Sequence, residues 1–138
     1  MHKKEGHKLV KVPHQSTATF DEVCQILWKY LNERDWQDNP SRGLAASISL
    51  EAAELLEHYQ WHDEPVGSHD ELAEELADIF IYAFQFAMRN DIDIVDAMQQ
   101  KLEKAGKKYP AKIFKGKTDD ERNAAWIEAK LHYKKEGL

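Results

Sequence analysis

Four stretches of this 138-residue chain open on the same local signal, a Ser, Thr or Asp followed three residues later by an acid: Thr19 with Glu22, Ser68 with Glu71, Asp93 with Asp96 and Thr118 with Glu121. The first side chain of such a pair accepts from the N–H groups that a helix leaves unpaired in its first turn, and the acid can reach back to the cap. Only six Gly and four Pro are present to interrupt what these signals start. The pattern favours an all-α fold, since both residue types are poor in helix interiors.

Apolar residues at helical spacing predict a first helix from about Phe20 to Trp36 and a second from Ser41 to about Gln60. A third should span about His69 to Arg89, a fourth about Ile94 to Lys108, and a fifth Asp119 to Lys135. Asn39-Pro40, the turn from Asp63 to Ser68, and Tyr109-Pro110 supply the breaks. The stripe Leu72, Leu76, Ile79, Phe80, Ala83 and Ala87 is expected at the centre of the core. The expected architecture is an antiparallel bundle of four core helices plus a C-terminal helix, associating through the bundle into dimers or tetramers. Residues 1–18 read as a flexible arm, 19–111 as the catalytic helical domain, and 112–138 as a helical extension.

The charge balance narrows the function. With 25 acidic against 19 basic residues the net charge is −6, which argues against a nucleic-acid polymer as partner. The one cysteine, Cys24, allows no internal disulfide and no thiolate zinc site, and suits a reducing cytoplasm. No apolar run approaches the roughly 20 residues of a membrane span, and the first residues lack the apolar core of a signal peptide. A cytoplasmic protein without a membrane partner is expected.

Two acidic pairs carry the chemistry: Glu51 with Glu54, and Glu75 with Asp78. Each pair is spaced i, i+3, so both carboxylates leave one face of a helix. At about 100° per residue, Glu51 lies within roughly 60° of Leu44, Ile48 and Leu55, and Glu75 is similarly close to Ile79, Tyr82 and Phe86. The acids therefore sit in or beside the apolar stripes, where unpaired carboxylates are costly. Lys or Arg could compensate them, or a metal could, and oxygen ligands without Cys or a well-placed His favour Mg²⁺ or Mn²⁺. An ordinary acidic helix face is the alternative reading of either pair. A carboxylate-held cation commonly bridges to phosphates. Lys101, Lys104, Lys107 and Lys108, followed by Tyr109, put positive charge at a helix end, although compensation of the helix dipole would do the same. Trp36, Trp61 and Tyr82 are candidates for stacking on a base, with core or interface packing as the alternative.

The blocks EAAELLEHYQW (Glu51 to Trp61), ELADIFIYAFQFA (Glu75 to Ala87) and KLEKAGKKYP (Lys101 to Pro110) resemble the MazG-like all-α nucleoside triphosphate pyrophosphatases, especially the compact dCTP-pyrophosphatase type. ERDW (Glu33 to Trp36), before Pro40 and Arg42, resembles the segment that precedes the first acidic pair in that type. The resemblance implies Mg²⁺-dependent cleavage of a nucleoside triphosphate to monophosphate and pyrophosphate, in nucleotide-pool house-cleaning, with deoxynucleotides such as dCTP favoured. It implies that Glu51, Glu54, Glu75 and Asp78 hold the metal, with Mn²⁺ as a substitute, and that one of them serves as base. It also assigns Trp36, Arg42, Trp61, Tyr82, Lys101, Lys107, Lys108 and Tyr109 to the substrate, and a homodimer or homotetramer as the assembly. Ala105 stands where this type often carries Asn, which implies a broader or shifted base preference. A non-enzymatic helical module that binds a nucleotide or a partner protein is the competing function.

Overall fold

The structure, a computed structural model, describes residues 16–135; the first fifteen residues of the expected arm lie outside the described residues. The described chain is all-α: α1 (Phe20–Asn32), α2 (Ser41–Glu57), α3 (His69–Arg89), α4 (Ile94–Lys108), a short 3₁₀ turn (Ala111–Ile113) and α5 (Asp119–Lys135). It divides into two units between Asp38 and Asn39, so that α2 to α5 belong together.

All four start signals are realised. Thr19 and Ser68 form reciprocal capping boxes with Glu22 and Glu71, Asp93 Oδ1 accepts from the Asp96 N–H at 2.9 Å, and Thr118 pairs in both directions with Glu121. α2 starts differently. Pro40 sits at its cap position and, having no side-chain oxygen, makes no cap bond.

The helix ends depart from expectation twice. α1 stops at Asn32 rather than Trp36 because Asp35 turns left-handed at φ 55°. The Trp36 N–H then donates to the Leu31 carbonyl at 2.9 Å and the Asp35 N–H to Asn32 at 3.2 Å, the Schellman closure usually built on glycine. α3 ends by the same device: Asp91 has φ 52° and the Ile92 N–H donates to the Ala87 carbonyl at 2.9 Å. α2 stops at Glu57 rather than Gln60, since the His58 carbonyl is taken by the Val66 N–H at 2.9 Å.

α2 and α3 form an antiparallel hairpin. Ser41, at the start of α2, donates to Asn90 Oδ1 past the end of α3, while His58, at the end of α2, bonds the loop just before α3. Between these pins Leu44 is 2% exposed, the largest fully buried side chain among the described residues. The expected core stripe of α3 divides. Ala87 is buried, Leu72, Ile79 and Ala83 are half-buried, and Leu76 and Phe80 are exposed. The reason is rotation: α3 keeps Glu75, Asp78 and Tyr82 half-buried, which turns the edge carrying Leu76 and Phe80 outward, about 100° or more around the helix from Glu75.

Leu44→Ala removes the central contact of a small core and should destabilise the protein by about 2–5 kcal/mol. Chemical denaturation at fixed protein concentration measures it; a loss below about 1 kcal/mol would place the core elsewhere.

Candidate functional site

Both acidic pairs reach the same place because the antiparallel hairpin brings the second half of α2 beside the first half of α3. Ligand oxygens of Glu51, Glu54 and Glu75 all lie within 4.8 Å of one another. Asp78 acts on the cluster through its charge, since it opposes ionisation of both Glu51 and Glu54. Glu51, Glu75 and Asp78 are half-buried and Glu54 is exposed.

The electrostatics record the crowding. Burial, and then the charges of Glu54, Asp78 and Glu75, push the Glu51 carboxyl above the usual carboxylate range. The charge of Glu75 is the main cause that raises Glu54, followed by burial, a side-chain hydrogen bond with Glu75, and the charges of Glu57 and Asp78. Carboxylates that raise one another concentrate negative charge that a cation would neutralise. Three closely set oxygen donors on two helices fit a hard divalent cation such as Mg²⁺ or Mn²⁺.

One neighbour joins the acids from the end of α2. His58 ends α2, with its side chain only 14% exposed and Nε2 3.8 Å from Glu75 Oε1. Its Nδ1 accepts from the Gly67 N–H at 3.1 Å. A side chain at position 67 would overlap the imidazole at Cε1 and Nδ1 and come within 3.1 Å of Glu71 Oε2. Glycine is required there by close approach. The Glu71 carboxylate accepts from the Ser68 N–H at 2.6 Å, and its bonds to Ser68 hold its carboxyl below the usual range. Glu54, Glu57, His58, Val66, Gly67, Glu71 and Glu75 line a cleft of about 320 Å³. The signal available in the sequence was position: His58 falls one turn after Glu54, on the same helix face.

The remaining candidates are placed as follows. Tyr82 is half-buried one turn after Asp78. Trp61 is 81% exposed in the loop after α2, and Arg42 is exposed in the first turn of that helix. Lys101 is exposed, and Lys107 pairs with Glu103 at 3.0 Å. Lys108 lies 5.3 Å from the ring centres of both Tyr109 and Tyr133, and Tyr109 packs edge-on against Phe114. Within the first unit, Trp36 meets Tyr30 edge-on at 6.1 Å.

The profile of the MazG-like family matches residues 46–120, a span that contains both acidic pairs and the lysine-rich end of α4. The chain belongs to the MazG-like family. It is 30% identical over 110 residues to dCTP pyrophosphatase 1 of Bos taurus, an alignment covering 73% of this chain and 65% of that protein. Against dCTP pyrophosphatase 1 of Homo sapiens it is 29% identical over 104 residues, covering 69% and 61%. The MazG-like chain thus spans just under two thirds of the length of these relatives. A pyrophosphatase of known crystal structure from Archaeoglobus fulgidus is 32% identical, with a TM-score of 0.59 over 72% of this chain and 99% of that one.

A carboxyl whose folded pKa is raised contributes least to stability once pH exceeds that value, so Glu51 and Glu54 weaken the metal-free fold as pH rises from the usual Glu range. Glu54→Gln should therefore raise the thermal midpoint of EDTA-treated protein at neutral pH and leave it nearly unchanged near about pH 4. A lowered midpoint at neutral pH would show that the carboxylate is already neutralised by a partner within the protein.

Proposed function

We propose that this MazG-like chain is a divalent-cation-dependent nucleoside triphosphate pyrophosphohydrolase, converting a (d)NTP and water to the monophosphate and pyrophosphate. The observation that carries the reading is the set of three carboxylate oxygen donors within 4.8 Å on two adjoining helices. Relatives at about 30% identity are named dCTP pyrophosphatases, and the structural neighbour is named a pyrophosphatase.

In this reading Glu51, Glu54, Glu75 and Asp78 hold Mg²⁺, with Mn²⁺ able to replace it. The bound cation supplies charge neutralisation on the phosphates and makes water a better nucleophile. One carboxylate of the cluster takes the water's proton. Lys101, Lys107, Lys108 and Tyr109 bind phosphate, Arg42 contacts the substrate, and Trp61 and Tyr82 contact sugar and base. The exposure of Trp61 leaves its ring face available for stacking. Deoxynucleotides such as dCTP are the substrates assigned, with base selectivity broadened by the methyl side chain of Ala105, which offers no hydrogen bond. House-cleaning of the cytoplasmic nucleotide pool follows from that chemistry.

We also infer that the working form is a homodimer or homotetramer. The buried apolar side chains among the described residues are Leu27, Leu31, Leu44 and Ala87, while Ile26, Leu50, Leu56, Leu76 and Phe80 remain exposed with many others. Apolar side chains of this kind are what a subunit interface would cover.

Incubation with the four dNTPs and their ribose forms should yield monophosphate plus pyrophosphate with Mg²⁺ and nothing with EDTA. Glu51→Ala and Asp78→Ala should each reduce turnover to background with helical content retained. A helical module without catalysis would instead give no product and no Mg²⁺-dependent rise in thermal midpoint with a non-hydrolysable dNTP analogue. Either variant turning over at the wild-type rate would remove its carboxylate from the site.

A further inference from the structure

The candidate cation cluster has three oxygen donors from α2 and α3, and His58 stands between one of them and the loop before α3. The Gly67 N–H can only donate, so the Nδ1 it meets at 3.1 Å is an acceptor and the ring proton sits on Nε2. That N–H faces Glu75 Oε1 across 3.8 Å, just beyond hydrogen-bond length, with both side chains largely shielded from water. The loop is tied to the same residue by the main chain, through the Val66 N–H to the His58 carbonyl. The absence of a side chain at Gly67 admits the ring to this position.

We propose that His58, locked by Gly67, is a positioning residue for Glu75: its Nε2–H, 3.8 Å away, closes on one carboxylate oxygen when the cation binds and leaves the other directed to the cation. An imidazole fixed at one nitrogen by the backbone and presenting the other to a ligand carboxylate acts on cation affinity, although it touches neither cation nor substrate. Outer groups of this kind typically alter affinity or activity by about 10–100-fold. The proposal rests on the reading of Glu51, Glu54 and Glu75 as cation ligands.

Two substitutions at one position separate positioning from scaffolding. In His58→Asn the amide oxygen takes the place of Nδ1 and keeps the Gly67 bond, but nothing reaches Glu75. In His58→Gln the amide nitrogen takes the place of Nε2. Mn²⁺ binding to full-length, nucleotide-free protein, followed by calorimetry or by the electron-spin signal of free Mn²⁺, is the primary readout. The Asn variant should bind Mn²⁺ about 10–100-fold more weakly, with the thermal midpoint in EDTA unchanged and half-saturating Mg²⁺ for pyrophosphate release raised in proportion. The Gln variant should recover affinity. Gly67→Ala, which displaces the ring from the loop side, should reproduce the Asn result.

Wild-type Mn²⁺ affinity in both His58→Asn and Gly67→Ala would overturn the proposal while leaving the cation site intact, as would equal affinities in the Asn and Gln variants. Wild-type protein that binds no Mn²⁺ would overturn the cation site itself, and the proposal with it.

Discussion

The repulsion among Glu51, Glu54, Glu75 and Asp78 is the constraint around which the α2–α3 hairpin is organised. Like charges at this spacing drive the two helices apart unless something else holds them, and the record of that tension is the raised proton affinity of Glu51 and Glu54. Three features hold the hairpin closed. Ser41 bonds Asn90 at one end, His58 bonds Gly67 at the other, and Leu44 is enclosed in between. The acids lie in the half nearer the loop, so the loop geometry at His58 and Gly67 bears directly on the site.

This arrangement commits helix surface to the acidic cluster. Facing α2 with Glu75, Asp78 and Tyr82 turns the Leu76 and Phe80 edge of α3 outward. A monomer whose most apolar helix shows part of its stripe to solvent has little core of its own, and the exposed edge is the surface through which the proposed assembly would gain stability. Electrostatic strain at the cluster and apolar exposure behind it are two results of one helix rotation.

The helix starts were fully legible. An N-cap is a local device, decided by a hydroxyl or carboxylate and an acid three residues away, and Thr19, Ser68, Asp93 and Thr118 all act as their spacing announces. The ends were less so. Asp35 and Asp91 take the left-handed position that glycine usually fills, and an aspartate in a charged stretch looks the same whether it closes a helix or decorates one. The candidate carboxylates were legible because an i, i+3 acidic pair beside an apolar stripe conflicts with simple solvation. His58 was not, because its importance lies in a loop that returns to it nine residues later.

Local chemistry in the sequence therefore determined the all-α class and the helix starts and singled out four candidate carboxylates, since caps, helical periodicity and i, i+3 spacing act within a few residues of one another. The approach of Glu75 to Glu51 and Glu54, the outward turn of Leu76 and Phe80, and the lock between His58 and Gly67 were decided only by tertiary structure. Each depends on how far one helix is rotated against another and on where a loop returns. Those are sums of many contacts between residues distant in the chain, and no single stretch of sequence encodes them.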